Sequence, residues 1–67
     1  MRESTADIKR RCVELAQDDY VDGLKHTLID RSFFRDFDLL KGIVAMELHK
    51  HGFCTRSFDG DLLVTKF

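Results

Sequence analysis

His49, His51 and Cys54 lie within one short run of the chain, HKHGFC, and all three side chain types can ligate zinc. Structural zinc takes four ligands, in spacings such as C-x2-C with H-x3-5-H, whereas this run reads H-x-H-x2-C and supplies three. On a helix, positions 49 and 51 point about 200° apart, so both imidazoles reach one ion only if the helix ends between them. Cys12, His26 and the carboxylates are the other available ligands, and none is placed locally to complete a known motif. Cys54 near His51 also resembles a thiol beside a base. Strand alternation, however, puts Cys54 at a core position, where burial would raise its pKa and quench it as a nucleophile. A 67-residue chain has little room for a substrate pocket, and neither a Gly-rich phosphate loop nor a paired-carboxylate signature is present. The expectation is a protein that is not an enzyme and holds no cofactor.

The elements that position these residues follow from apolar spacing. Ser4 and Asp7 have the spacing of a helix cap, and Ile8, Cys12, Leu15 and Ala16 recur at helical intervals, which predicts a first helix over 5–17. Its Lys9-Arg10-Arg11 run is interleaved with acids and reads as a solvated face. Asp18 and Asp19 can cap a second helix over 19–31, with Tyr20, Val21, Leu24 and Leu28 on one face and Gly23 as a weak point. Leu39, Leu40, Ile43, Val44 and Leu48 form the apolar arc of a third helix, which ends near His51 because Gly52 follows. Its start falls at Ser32, Asp36 or Asp38, and Phe33, Phe34 and Phe37 are core aromatics in each case. FCTRSF and DLLVTKF are β-prone runs around Asp59-Gly60, a hairpin dipeptide, with Cys54, Phe58, Leu62 and Val64 preferred on one face. A two-residue turn and a three-residue bulged turn both fit, so the register stays open.

The fold expected is α+β: one domain over 1–67, a three-helix bundle followed by a C-terminal two-stranded antiparallel hairpin. The segment MELHKHGFCTRSFDGDLLVTKF, with a helix end, a terminating glycine and a DG-tipped hairpin, resembles the winged helix-turn-helix fold. That resemblance implies a recognition helix in the DNA major groove and a wing that touches the DNA backbone or minor groove. No strand signal is evident between the first two helices, and the wing tip Asp59-Gly60-Asp61 is acidic and would repel phosphate.

The face of the third helix opposite the arc carries Asp38, Lys41, Gly42, Ala45 and His49. Gly42 and Ala45 would admit a DNA backbone or another helix, while Lys41 and His49 offer polar contacts. Arg35, Lys50 and Arg56 add positive charge nearby, but neighbouring acids bring the region to neutrality, which limits duplex affinity. Glu47 projects into the arc, and is either paired with Arg56 or solvated where the helix end leaves the core. Two functions remain open. One is a regulator of transcription acting at DNA or a DNA-bound protein complex through Arg35, Lys41, Gly42, Ala45, His49, Lys50 and Arg56. The other is a protein–protein inhibitor or adaptor of phage or accessory type, using the Gly42/Ala45 face or the hairpin edge. A homodimer is compatible with both.

Composition supports a folded domain: 43% of residues are hydrophobic, Phe occurs six times and Pro is absent, while 34% charged residues imply well-solvated faces. The formal charge of −1 is spread in mixed signs, without a polycationic arm. No apolar run approaches the roughly 20 residues of a membrane span, and the first residues lack a signal-peptide core. Cys12 and Cys54 read as reduced core thiols in a cytoplasmic protein that does not engage a membrane.

Overall fold

A computed structural model describes residues 3–67. Ser4 Oγ accepts a hydrogen bond from the Asp7 amide at 3.1 Å, closing the cap that its spacing predicts. From there α1 runs over Thr5–Val21 and buries Ile8, Cys12, Val13 and Ala16. It is a turn longer than its apolar pattern predicts, and Asp18 and Asp19 are its last turn rather than the cap of a new helix. What ends it is Gly23, at φ +89. The Gly23 amide donates to the Tyr20 carbonyl and the Leu24 amide to the Asp19 carbonyl, the pair of bonds that closes a helix through a left-handed glycine.

The expected second helix is therefore absent. Residues His26–Ile29 form β1, with Thr27 and Ile29 buried and His26 and Leu28 exposed. Thr27 Oγ1 donates to Asp19 Oδ2 at 2.7 Å and so ties β1 to the end of α1. A connecting loop leads to α2 at Phe37–Lys50, preceded by Asp36 in the left-handed region at φ 51. In this loop Phe34 stacks on Phe37 with centroids 5.0 Å apart, and Phe33 lies under the Arg11 guanidinium at 4.5 Å. The same guanidinium pairs with Glu3 and donates to the Phe33 carbonyl at 2.8 Å, holding the loop against α1. All three Phe thus belong to the core or its rim, as their sequence context predicts.

Gly52, at φ +86, stops α2 where expected and starts the hairpin of β2 (Phe53–Phe58) and β3 (Asp61–Lys66). Asp59 and Gly60 both have positive φ and Phe58 faces Asp61, so the turn is the two-residue type that matches strand twist. β3 also pairs antiparallel with β1, which makes a three-stranded sheet in the order β1-β3-β2. The fold is α+β with two helices and this sheet, and the three-helix bundle with a two-stranded hairpin is overturned. Without a helix between α1 and α2, the described residues contain no helix-turn-helix.

Both helices pack on one face of the sheet. Leu40, Val44 and Leu48 of α2 meet Ile8, Cys12 and Ala16 of α1 above Ile29, Phe53, Leu62 and Val64. Cys12 is fully enclosed, and loss of water pushes its thiol up to about 11, with Arg11 opposing the shift. Leu62 and Val64 point inward as expected. Cys54 and Phe58 do not: the two-residue turn sets the opposite parity on β2, so Phe53 faces the core while Phe58 is exposed and Cys54 half-buried.

Candidate functional site

Strand alternation fixes which side chains stand on the uncovered face of the sheet. On β1 these are His26 and Leu28, on β3 Asp61, Leu63 and Thr65, and on β2 Cys54, Arg56 and Phe58. Register places Leu28, Leu63 and Arg56 in one row across the three strands, and His26, Thr65 and Cys54 in the next. Leu28 is 46% exposed and Phe58 55%. Together with Lys25, the residues His26, Leu28, Arg56, Phe58, Leu63 and Thr65 line one shallow, mainly apolar groove.

The charges around this groove differ from those elsewhere. Among the described residues, Lys9 pairs with Glu47, Arg10 with Asp7, Arg11 with Glu3, Arg31 with Asp61, Arg35 with Asp36, Lys41 with Asp38 and Lys50 with Glu47. Lys66 lies over the rings of Phe53 and Tyr20 at 5.0 and 5.6 Å. Among the described residues, Lys25 and Arg56 make no ion pair. They flank Leu28, Leu63 and Phe58, so the sheet presents an apolar centre with a basic rim.

The seven residues that the sequence singles out do not converge. Arg35 is in the loop before α2, donating to the Glu3 carbonyl at 3.1 Å and to Asp36 at 2.9 Å. Lys41, Gly42, Ala45, His49 and Lys50 are on α2, while Arg56 is on the open face of the sheet. The outward side of α2 is also less polar than predicted. Phe37, Leu40, Val44 and Leu48 face the core, which leaves Leu39, Ile43 and Met46 exposed at 76%, 42% and 67%. Leu39 and Ile43 are thus surface residues and not part of the buried arc. His49 packs edge-on against Phe67 with centroids 5.0 Å apart.

Glu47 does not pair with Arg56, which lies on the far side of the sheet. It is surrounded by Lys9 at 3.9 Å, Lys50 at 3.9 Å and His51 at 3.5 Å, near the junction of the two helices. With His49 against Phe67, His51 against Glu47 and Cys54 on the sheet, the zinc triplet is dispersed. No three His, Cys, Asp or Glu side chains group around a common point among the described residues. The acidic turn has a partner of its own: Arg31 donates to the Asp59 carbonyl at 2.8 Å, and its amide donates to Asp61 Oδ1 at 3.0 Å. These acids fasten the hairpin to the loop after β1.

Lys25, His26, Leu28, Phe58, Leu63 and Thr65 are the members of the groove that sequence reasoning missed. The β-branched residues Thr27 and Ile29, alternating in His26-Thr27-Leu28-Ile29 shortly after Gly23, are the signal that could have placed β1. No family model, curated protein or solved structure matches the chain. Among the described residues no helix is long and apolar enough to cross a membrane.

Proposed function

We propose that this chain is a non-enzymatic adaptor or inhibitor of the cytoplasm that binds a protein partner through the open face of its sheet. The observation that carries this reading is the coincidence of Lys25 and Arg56, which make no ion pair among the described residues, with the exposed Leu28 and Phe58 and the half-buried Leu63. An apolar patch rimmed by charge is the anatomy of a protein–protein contact, and the rim selects an acidic segment carrying large apolar side chains. Duplex DNA is less well served. Lys41 and Lys50 stand beside Asp38 and Glu47 on a helix whose outer side is largely aliphatic, and phosphate recognition depends on unneutralised cations.

Fluorescence anisotropy with two labelled probes separates the classes. One is a peptide alternating Glu with Leu and Phe, and the other is a random-sequence duplex examined over a range of salt. Peptide binding that Arg56→Glu and Phe58→Ser each weaken at least tenfold is the expected result. Duplex binding with a steep negative salt slope, lost in Lys41→Ala and Lys50→Ala, would overturn the reading in favour of a DNA-binding regulator.

A further inference from the structure

Gly42 occupies the middle of α2, where a glycine destabilises a helix relative to alanine. Nothing inside the fold requires it: its φ is not positive, and a Cβ built there meets no atom within 4 Å. The residues beside it on the outer side of the helix, Leu39, Ile43 and Met46, are exposed and spaced at i, i+4 and i+7. The same side is charged in a polar order, with Asp38 in the first turn and His49 and Lys50 in the last.

We propose that this face of α2 pairs with the same face of a second copy, the two helices running antiparallel about a twofold axis. The charge order argues for a second copy of this chain. When Asp38 of one copy is set against Lys50 of the other, the same register sets Gly42 against Met46 in both directions. Each Met46 then fills the space above a Gly42, and the two Ile43 side chains meet near the axis. Asp38, whose side chain is 96% exposed, gains a cation at each end of the interface. Such a contact is isologous and closes on itself. A helix of 14 residues is about 21 Å long, and its one face is well below the roughly 800 Å² per partner of a stable complex. The dimer is accordingly weak and concentration-dependent, and it leaves the open face of each sheet free.

Sedimentation equilibrium from about 10 μM to 1 mM tests the pairing, with circular dichroism as the check on folding. The wild type is expected to show a rising mass that Ile43→Lys abolishes while the helical signal is unchanged, since Ile43 is a surface residue. Lys50→Glu should weaken the dimer at least fivefold, and adding Asp38→Lys should restore it, because the exchange re-forms both pairs only in the antiparallel register. Gly42→Ala should raise the monomer's melting temperature and weaken the dimer. A strict monomer at 1 mM, or a dimer indifferent to Ile43→Lys and to the charge exchange, would overturn the proposal.

Discussion

Replacing Thr27 with Val keeps the β-branched outline of the side chain and removes the hydroxyl that donates to Asp19 Oδ2 at 2.7 Å. Thr27 is 5% exposed, so the change leaves packing nearly intact and isolates one bond between β1 and the end of α1. A hydrogen bond to a charged acceptor contributes about 1.5–3 kcal/mol when shielded from water. Asp19 is only half-buried, which brings the expected loss to about 1–2 kcal/mol. A domain of this size has a total stability of about 3–10 kcal/mol, so that loss is a substantial share of it. It corresponds to a fall in Tm of about 7–14 °C. Asp19→Ala removes the same bond but also relieves an acid in the last turn of a helix, where the dipole disfavours it. The clean quantity is the coupling energy from a double-mutant cycle in urea, expected at about 1–2 kcal/mol. Additive effects of the two substitutions, or a Thr27→Val protein as stable as the wild type, would refute the bond and with it the placement of Thr27 on an inward-facing strand position.

Leu40 and Leu39 are adjacent but have opposite environments: Leu40→Ala should cost about 2–5 kcal/mol in denaturant unfolding and Leu39→Ala less than about 1 kcal/mol. Gly60, at φ +83, would place a Cβ 2.6 Å from the Arg31 guanidinium, so Gly60→Ala should cost about 1–2 kcal/mol by thermal melting, and measurably less in an Arg31→Ala background. Under native conditions a disulfide-exchange reagent should label Cys54 promptly and Cys12 only as fast as the protein opens. The Cys12 thiol has a raised folded pKa, about 11 against an ordinary 9.0, because burial disfavours the thiolate. Its contribution of about 2–3 kcal/mol is complete below pH 9, where the unfolded thiol is also protonated, and is lost as pH rises through 11. Cys12→Ala should flatten that alkaline limb in melts recorded across pH.

Local signals identified α1, α2 and the hairpin, because the Ser4 cap, Gly52 and Asp59-Gly60 each act on neighbouring residues. Three features depended on distant contacts. β1 has four residues, too few for alternation to compete with the helical spacing of Leu24 and Leu28, and its partner strand lies far along the chain. Gly23 reads as a weak helix position until its positive φ shows that it is a stop. On α2, a broad apolar arc does not say which of its edges faces the core, so Leu39 and Ile43 came out on the wrong side. The candidate site inherited these gaps. Arg56 was visible as a cation, but its neighbours Lys25, His26 and Leu28 reach it only through the pairing of β1 with β3.

β3 is the central strand, and it follows both of its neighbours in the chain. β1 and β2 each pair with β3 and not with each other, so during synthesis β1 waits, with its backbone groups unpaired, until the last strand has emerged. Joining residues near 26 to residues near 65 closes a long loop before any reward from the sheet, which slows the rate-limiting step relative to a purely helical domain of equal size. Substitutions at Ile29, Leu62 or Val64 should therefore change the folding rate more than the unfolding rate if this pairing forms the nucleus. Until it forms, the nascent chain exposes an apolar strand edge, and its partition between native structure and aggregation is set by how soon β3 arrives.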